Sequence, residues 1–531
     1  MAGHAISPAA PAWGSARDTF DSVNPATGEV LATFAIDGQR EVAAAVGRAR
    51  EAAAWWAGLG WGDRKLRLLA WKSHITRYMA RLARQVHDET GKPLDDATLE
   101  IINTIVHLDW AARHAHPVLK PRRVPSGLAM LNQTAMLEYQ PLGVVGVIGP
   151  WNYPVFTPMG SIGYALAAGN AVVFKPSELT TGTGQWLAES FTEVLSEVFG
   201  DTQPVLQLAS GLGATGEELA KSGVDKIAFT GSAATARKVL AAAAESLTPV
   251  LAECGGKDAL LVAADADLDA AADATAWGAM SNAGQTCVGV ERVYVAEAVF
   301  HPFLQKLEDR IAALRPGDDA GASYGPMTLP GQVDVIERHL ADAVARGGRS
   351  AHGGLDSVRS PYVDPVILVD VPEESAAVRE ETFGPVVTVT PVPSLAEAVR
   401  LANASPYALG SAVFAKRRQA GLKAARALRA GMTSVNSVIA FAAVPSLPFG
   451  GSGESGFGRI HGADGLREFS RPKAITRQRM RPVVRTTTFR RDSKDMDRIV
   501  RLFTMLHGRL YQPPRRRERL PIPRRAKNAK K

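Results

Sequence analysis

Residues 142–175 read LGVVGVIGPWNYPVFTPMGSIGYALAAGNAVVFK. An apolar run at 142–148, an Ala-rich helical segment at 161–168 and a second apolar run at 171–174 make one strand–helix–strand unit. Continuous rather than alternating apolar runs are what a parallel sheet buried on both faces demands. The pattern extends outward, with strands over 205–208, 226–229 and 250–252 and helices over 183–198, 215–221 and 233–244. A second series follows, with strands at 259–262, 292–296 and 411–415 and helices at 268–281, 299–314, 395–403 and 418–430. The expected fold class is α/β, two parallel-sheet domains in tandem. Segments 128–140 and 470–479 alternate polar and apolar residues outside both series and predict a projecting sheet.

Composition bounds the function classes. With 46% hydrophobic and 21% charged residues in 531, the chain is not disordered throughout, and its 49 Gly, lacking a three-residue period, do not form a collagen-like fibre. No apolar run reaches about 18 residues, and the first 35 positions lack the basic start and apolar centre of a secretory signal. A cytoplasmic protein is expected. The net charge of +8 hides an asymmetry: from Arg481 to Lys531, 17 Lys or Arg face 4 Asp or Glu, so the body is mildly acidic and the tail basic. In the tail, Met496, Ile499, Val500, Phe503 and Leu506 recur near helical spacing over 494–506, while 513–517 and the last ten residues read as disordered. Two readings of this tail stand: a solvated charge cluster, or peripheral contact with an anionic membrane. Nucleic acid is not expected as a partner, because the tail lacks an aromatic stacking platform.

Several short segments carry chemistry. The two cysteines, Cys254 and Cys287, are too few for a disulfide framework. Cys287 closes SNAGQTC (281–287) between an apolar helix and a strand; it is either a small core residue or a nucleophile activated by a positive local field. Glu253 precedes CGGK (254–257) at the carboxyl end of a strand, where open α/β sheets gather their catalytic groups, and is either a base for water or an ion-paired loop residue. Asn152 in PWNYP (150–154) can donate to a developing oxyanion or simply belong to a rigid turn. GLGATG (211–216) satisfies G-x-G-x-x-G, but the acid expected about 20 positions on is missing near Arg237. FTGS (229–232) opens directly into a helix at Ala233, whose free amides favour a pyrophosphate. KPSE (175–178) sets a cation and an acid where they can hold ribose hydroxyls. His107, His114 and His116 share an Ala-rich segment, read as surface helix positions, and no metal site is expected.

Taken in order, PWNYP, KPSE, FTGS, ECGGK, NAGQTC, EETFGPV and PFGGSGESGFGR resemble the NAD(P)-dependent aldehyde dehydrogenase superfamily, from about Asn24 to about Lys473. The resemblance implies an aldehyde dehydrogenase-like fold with two tandem Rossmann-like domains. It assigns 18–127 with 142–253 to the NAD-binding domain, 254–469 to the catalytic domain, 128–141 with 470–480 to a β oligomerisation arm, and leaves 481–531 as the basic tail. A homodimer or homotetramer follows from the same likeness. Cys287 takes the role of nucleophile, Asn152 that of oxyanion donor together with the Cys287 backbone N–H, and Glu253 that of general base for hydrolysis of a thioester. Relatives that pass the acyl group to coenzyme A generally lack an acid at this place. Trp151, Lys175, Ser177, Glu178, Gly213, Gly231, Ser232, Cys254, Glu381 and Phe383 fall on the cofactor side. Glu178, by repelling a 2′-phosphate, makes NAD the preferred cofactor, while Lys175 and Ser177 leave NADP admissible. Cys254 stands where many members have Leu, and Ala236 where many have Gly.

For the substrate, the resemblance places Tyr153, Phe156, Thr157, Gly160, Thr286, Val288 and Phe441 around the pocket. Several relatives carry a bulky aromatic where Gly160 falls, which predicts a roomy apolar pocket for aromatic or medium-chain aldehydes. The stretch NAGQTCVGVERVYV also resembles bacterial succinic-semialdehyde dehydrogenases. That substrate needs a facing cation, and the one available nearby, Arg292, is not directed into the pocket by the strand pattern. A scaffold or membrane-interaction protein acting through its tail is the reading from another class.

Overall fold

In the computed structural model, which describes residues 18–482 and 488–508, the first apolar run becomes the strand Val144–Ile148 with all five residues buried. Each such Val or Ile contributes about 1.5–3 kcal/mol when fully removed from water. The strand lies inside a six-stranded sheet ordered Gly456–Phe457, Val250–Cys254, Lys226–Gly231, Val144–Ile148, Ala171–Lys175, Leu206–Leu208. All neighbours run parallel except Gly456–Phe457. The chain starts in the middle, steps outward to Leu206–Leu208, then returns to build the other side. The order therefore reverses between Val144–Ile148 and Lys226–Gly231, and a crevice opens at the carboxyl ends of these two strands. GLGATG follows the outermost strand, Leu206–Leu208, so it does not occupy the turn of a dinucleotide fingerprint at the reversal point. The Gly231–Ser232 turn does.

The helix expected over 161–168 begins earlier, as Phe156–Ala168, and ends where Gly169 adopts φ +100°. Its start is set from far away in the chain: the N–H groups of Val155 and Phe156 donate to the Glu100 carboxylate at 2.8 and 3.0 Å. Local signals cap other helices. Ser232 accepts from the Thr235 N–H at the head of Ala233–Ala244, and Asp267 accepts from Asp269 and Ala270 at the head of Leu268–Met280.

Gly255, Gly256 and Lys257 carry the chain from the first sheet into the second. The second sheet has seven strands, ordered Arg349–His352, Val366–Val369, Val386–Val392, Val290–Ala296, Asp258–Val262, Ser411–Phe414, Ser434–Val435, parallel except for Arg349–His352. Both sheets belong to one compact unit, with residues up to 121 and 138–473. Residues 122–137 and the described residues from 474 onward cluster as a second unit. A three-stranded sheet is ordered Ser470–Gln478, Gln133–Pro141, Arg122–Val124, the last strand lying ahead of the segment expected from sequence. The tail helix is Ser493–His507. The expectations for 513–517 and the last ten residues lie outside the described residues. Among the described residues, no helix is long and apolar enough to cross a membrane.

Candidate active site

Two loops meet beyond the strand ends. The first, 150–155, follows Val144–Ile148; the second, 281–288, follows Leu268–Met280, with Asn282, Ala283 and Gly284 all at positive φ. A Cβ on Gly284 would lie 2.1 Å from the Gly384 carbonyl oxygen, so only glycine permits this close passage. Side chains tie the loops together. The Asn152 amide donates to the Gln285 carbonyl at 2.9 Å, the Tyr153 and Thr286 hydroxyls lie 2.9 Å apart, and the Asn282 amide donates to both Asn152 and Gln285 carbonyls. Asn152 is thus brought, buried, to the residues that immediately precede Cys287.

Two residues not singled out in the sequence hold the first loop. Lys92 donates to the Asn152 carbonyl at 2.9 Å, sits 3.9 Å from the centre of the Tyr153 ring and pairs with Glu100. Glu100 in turn caps Val155 and Phe156. Lysine and glutamate are both almost wholly buried, which is tolerable because each is neutralised and hydrogen-bonded by the other. Their distance in sequence from PWNYP left no local signal of this contact.

Cys287 and Glu253 line one cavity of about 130 Å³. Glu253, at the end of Val250–Cys254, is 3% exposed, and its Oε1 has no hydrogen-bond partner among the described residues. Burial pushes its carboxyl up to about 8, with Arg459 opposing and Asp258 adding to the rise. The Cys287 thiol is held well above its ordinary range, first by burial and then by the charges of Glu253, Asp258 and Glu381. Where the sequence suggested a positive local field, burial and nearby acids oppose ionisation of this thiol, and the Val288 N–H favours it. The other cysteine, Cys254, is buried opposite Gly231 in the sheet, its thiol pushed up to about 12 by burial and by Glu253.

Tyr153, Phe156, Thr157, Thr286 and Val288 all line the cavity, as expected. Gly160 and Phe441 do not. The space beside Gly160 is filled by the His461 ring, whose Nε2 would lie 2.6 Å from a Cβ built there. The predicted enlargement is thus cancelled by a residue 301 positions away in the chain. Phe441 turns instead toward Gly410 and Phe449. The His461 ring packs tilted against His107, ring centres 4.0 Å apart; His107 is buried rather than on the surface, and burial lowers its imidazole to about 4. Both rings are neutral packing behind Phe156 and Phe449. Among the cavity-lining residues, Lys92 is the one Lys or Arg, and Glu100 already neutralises it. Arg292 donates to the Lys257 and Ala402 carbonyls, away from the cavity.

The crevice at the sheet reversal fits a dinucleotide. Lys175, at the end of Ala171–Lys175, is 4% exposed, and its ammonium lies 3.5 Å from the carboxylate of surface residue Glu178. Ser177 accepts from the Leu179 N–H, and Gly213 opens the helix Gly213–Lys221, whose Gly216 lies near the Lys175 stem. A Cβ at Gly231 would strike the Phe229 ring at 2.7 Å, so the backbone before the Ser232 cap stays bare, as close approach of a phosphate needs. Glu381 accepts from the Gly256 N–H at 2.9 Å, and its carboxyl is pushed up to about 8 by burial and Glu291. A partly buried acid with spare acceptor capacity suits ribose hydroxyls. Trp151 and Phe383 meet edge to face, ring centres 5.6 Å apart. Phe383, at φ +48°, and Thr382 are held by their N–H groups on Glu291, which also pairs with Lys257.

Residues 13–475 match the aldehyde dehydrogenase family, to which the chain belongs. A Methylomonas sp. protein named 4,4'-diapolycopene aldehyde oxidase is 37% identical over 456 residues, covering 86% of this chain and 85% of that one. A putative succinate-semialdehyde dehydrogenase [NADP(+)] of Mycobacterium ulcerans is 34% identical over 459 residues, covering 86% and 88%. The solved structure of PnpE from Pseudomonas sp. WBC-3 in complex with nicotinamide adenine dinucleotide superposes with a TM-score of 0.82 at 30% identity, covering 88% of this chain and 96% of that one. The chain is accordingly an NAD(P)-dependent enzyme that oxidises aldehydes.

Proposed function

We propose that the enzyme oxidises an apolar aldehyde to its carboxylic acid through covalent attachment to Cys287, followed by hydrolysis with Glu253 as base. The observation that carries this reading is the Glu253 carboxylate, its Oε1 without a hydrogen-bond partner among the described residues, in the same cavity as the thiol. Sulfur attacks the aldehyde carbon as the thiol proton passes to solvent water, and the carbonyl oxygen becomes an oxyanion. On this reading Asn152, whose amide also donates to the Gln285 carbonyl, and the Cys287 N–H donate to it. Loss of hydride from the adduct leaves a thioester. The chemistry a nicotinamide ring supplies, when its dinucleotide is held by Lys175, Glu178, Ser232 and Glu381, is acceptance of that hydride. Water then adds to the thioester carbon as Glu253 takes its proton, and the thiolate departs, regaining a proton. NAD is the preferred cofactor on this reading, because Glu178 beside Lys175 opposes a 2′-phosphate.

Asn152→Ala is expected to lower kcat/KM by about 10²–10³, the loss of one oxyanion donor, in a stopped-flow or steady-state NADH assay. A KM change with kcat unaltered would instead mark Asn152 as a binding residue.

Cavity chemistry supports the apolar substrate. Phe156, Val288, Ile439, Phe449 and Ile460 line it, while Leu99 and Trp277 are more than half exposed at its edge. Besides Glu100, two acids border the cavity: Glu253, and Asp96, whose carboxyl burial raises against the opposing pull of Lys92. A second carboxylate, as in succinic semialdehyde, finds no free cation among these residues. The polyene aldehyde in the name of the Methylomonas relative is apolar, in keeping with this lining. In a panel assayed by NADH formation, hexanal and benzaldehyde are expected to exceed succinic semialdehyde in kcat/KM by at least about tenfold, since facing like charges at a site costs several kcal/mol. Faster succinic semialdehyde turnover overturns the preference and favours the activity named for the mycobacterial relative.

A further inference from the structure

The helix Ser493–His507 has no buried residue, although it is rich in large apolar side chains. Val500 is 57% exposed, Leu502, Phe503 and Leu506 are each 40% or more, and Phe489 just ahead of the helix is fully exposed. At 100° per residue, Met496, Ile499, Val500, Leu502, Phe503 and Leu506 gather on one side, interrupted in the first turn by Asp495, which pairs with Arg498, and Lys494, Arg498 and Arg501 lie with Met505 on the other. Arg490 and Arg491 precede the helix. From Arg509 to the last residue the sequence adds ten Lys or Arg against one Glu. An apolar face of this width, left open to water, needs a cover, and the basic residues on both flanks choose which. A second protein surface would need matching acids, and duplex nucleic acid would leave the apolar face unused. An interface of anionic headgroups over acyl chains satisfies both halves at once.

We propose that Ser493–His507 lies in the interface of an anionic lipid bilayer, with Val500, Phe503 and Leu506 directed into the acyl region and Arg498 and Arg501 at the headgroups. Such a helix rests on the membrane without crossing it, in the manner of peripheral amphipathic anchors. The inference is independent of the catalytic reading, because it uses none of the residues assigned to the cavity or the crevice.

The test is co-sedimentation of the full chain with extruded vesicles, either phosphatidylcholine alone or phosphatidylcholine with about one third phosphatidylglycerol. Binding to the anionic vesicles is expected to exceed binding to the neutral ones by about tenfold or more and to fall as salt is raised. Phe503→Glu with Val500→Glu, and separately Arg498→Glu with Arg501→Glu, are each expected to weaken it by at least about tenfold while aldehyde turnover and subunit number in light scattering stay as in the parent. Equal partitioning of parent and variants overturns the proposal. So does a change of subunit number in the Phe503→Glu, Val500→Glu protein, which would assign the face to a second copy. Retention on a duplex oligonucleotide that survives the apolar substitutions but not the charge reversals, without vesicle binding, would likewise overturn it in favour of nucleic acid.

Discussion

Cys287→Ala is expected to abolish aldehyde-dependent NADH formation, with a loss of about 10⁴-fold or more, and Cys287→Ser to come close to it. The oxygen of serine has the geometry but not the nucleophilicity of sulfur, and the surrounding acids oppose its ionisation even more than that of a thiol. Burial first, and then Glu253, Asp258 and Glu381, hold the Cys287 proton on, so kcat/KM, which reports the free enzyme, should climb with pH across the neutral range and beyond. Intact-mass measurement during turnover should find one acyl group per chain, mapped to Cys287. Cys254 should stay unmodified, because it is buried within the sheet and its thiol is pushed up to about 12. Acylation at Cys254, or a serine variant with parental turnover, would remove the nucleophile from the mechanism.

Much of this site was legible because its parts are local. Each of PWNYP, KPSE, FTGS and ECGGK begins within two residues of a strand's carboxyl end, where an apolar run gives way to Gly, Pro or a charge. Strand ends and the loops that follow them are written in consecutive residues. What failed depends on contacts between distant ones. Gly160 looked like empty space until His461 filled it. The expected positive field at Cys287 ignored three acids delivered by other strands and loops, and His107 looked like a surface position until His461 and Phe156 packed on it. Lys92 and Glu100 reach the Asn152 loop from separate segments, 60 and 55 residues before the groups they hold. No periodicity marks such pairings, since a buried lysine and glutamate look like any solvated pair until their environment is known.

Glu253→Gln should separate the two halves of the reaction. Attachment and oxidation do not need this carboxylate, so the variant is expected to release about one NADH per active site in a rapid burst and then turn over about 10²–10⁴ times more slowly than the parent, the usual contribution of a positioned base. Acyl-enzyme should accumulate to be seen by mass. In the parent, the carboxyl sits at about 8 because burial disfavours its charge. The sign follows from the role: the base works only when deprotonated, so a deacylation-limited kcat should rise roughly tenfold per pH unit below 8 and level off above it. Glutamine cannot titrate, and its kcat should lose that rise. Once Cys287 is acylated it carries no thiolate charge, so the kcat profile reports Glu253 with Arg459 and Asp258 as its charged neighbours. The kcat/KM profile additionally contains the thiol. A Glu253→Gln enzyme with parental kcat and no burst would mean that water is activated elsewhere. A burst that is retained, with the slow phase accelerated by added thiol acceptors, would show that the thioester forms and that its hydrolysis is the step this carboxylate serves.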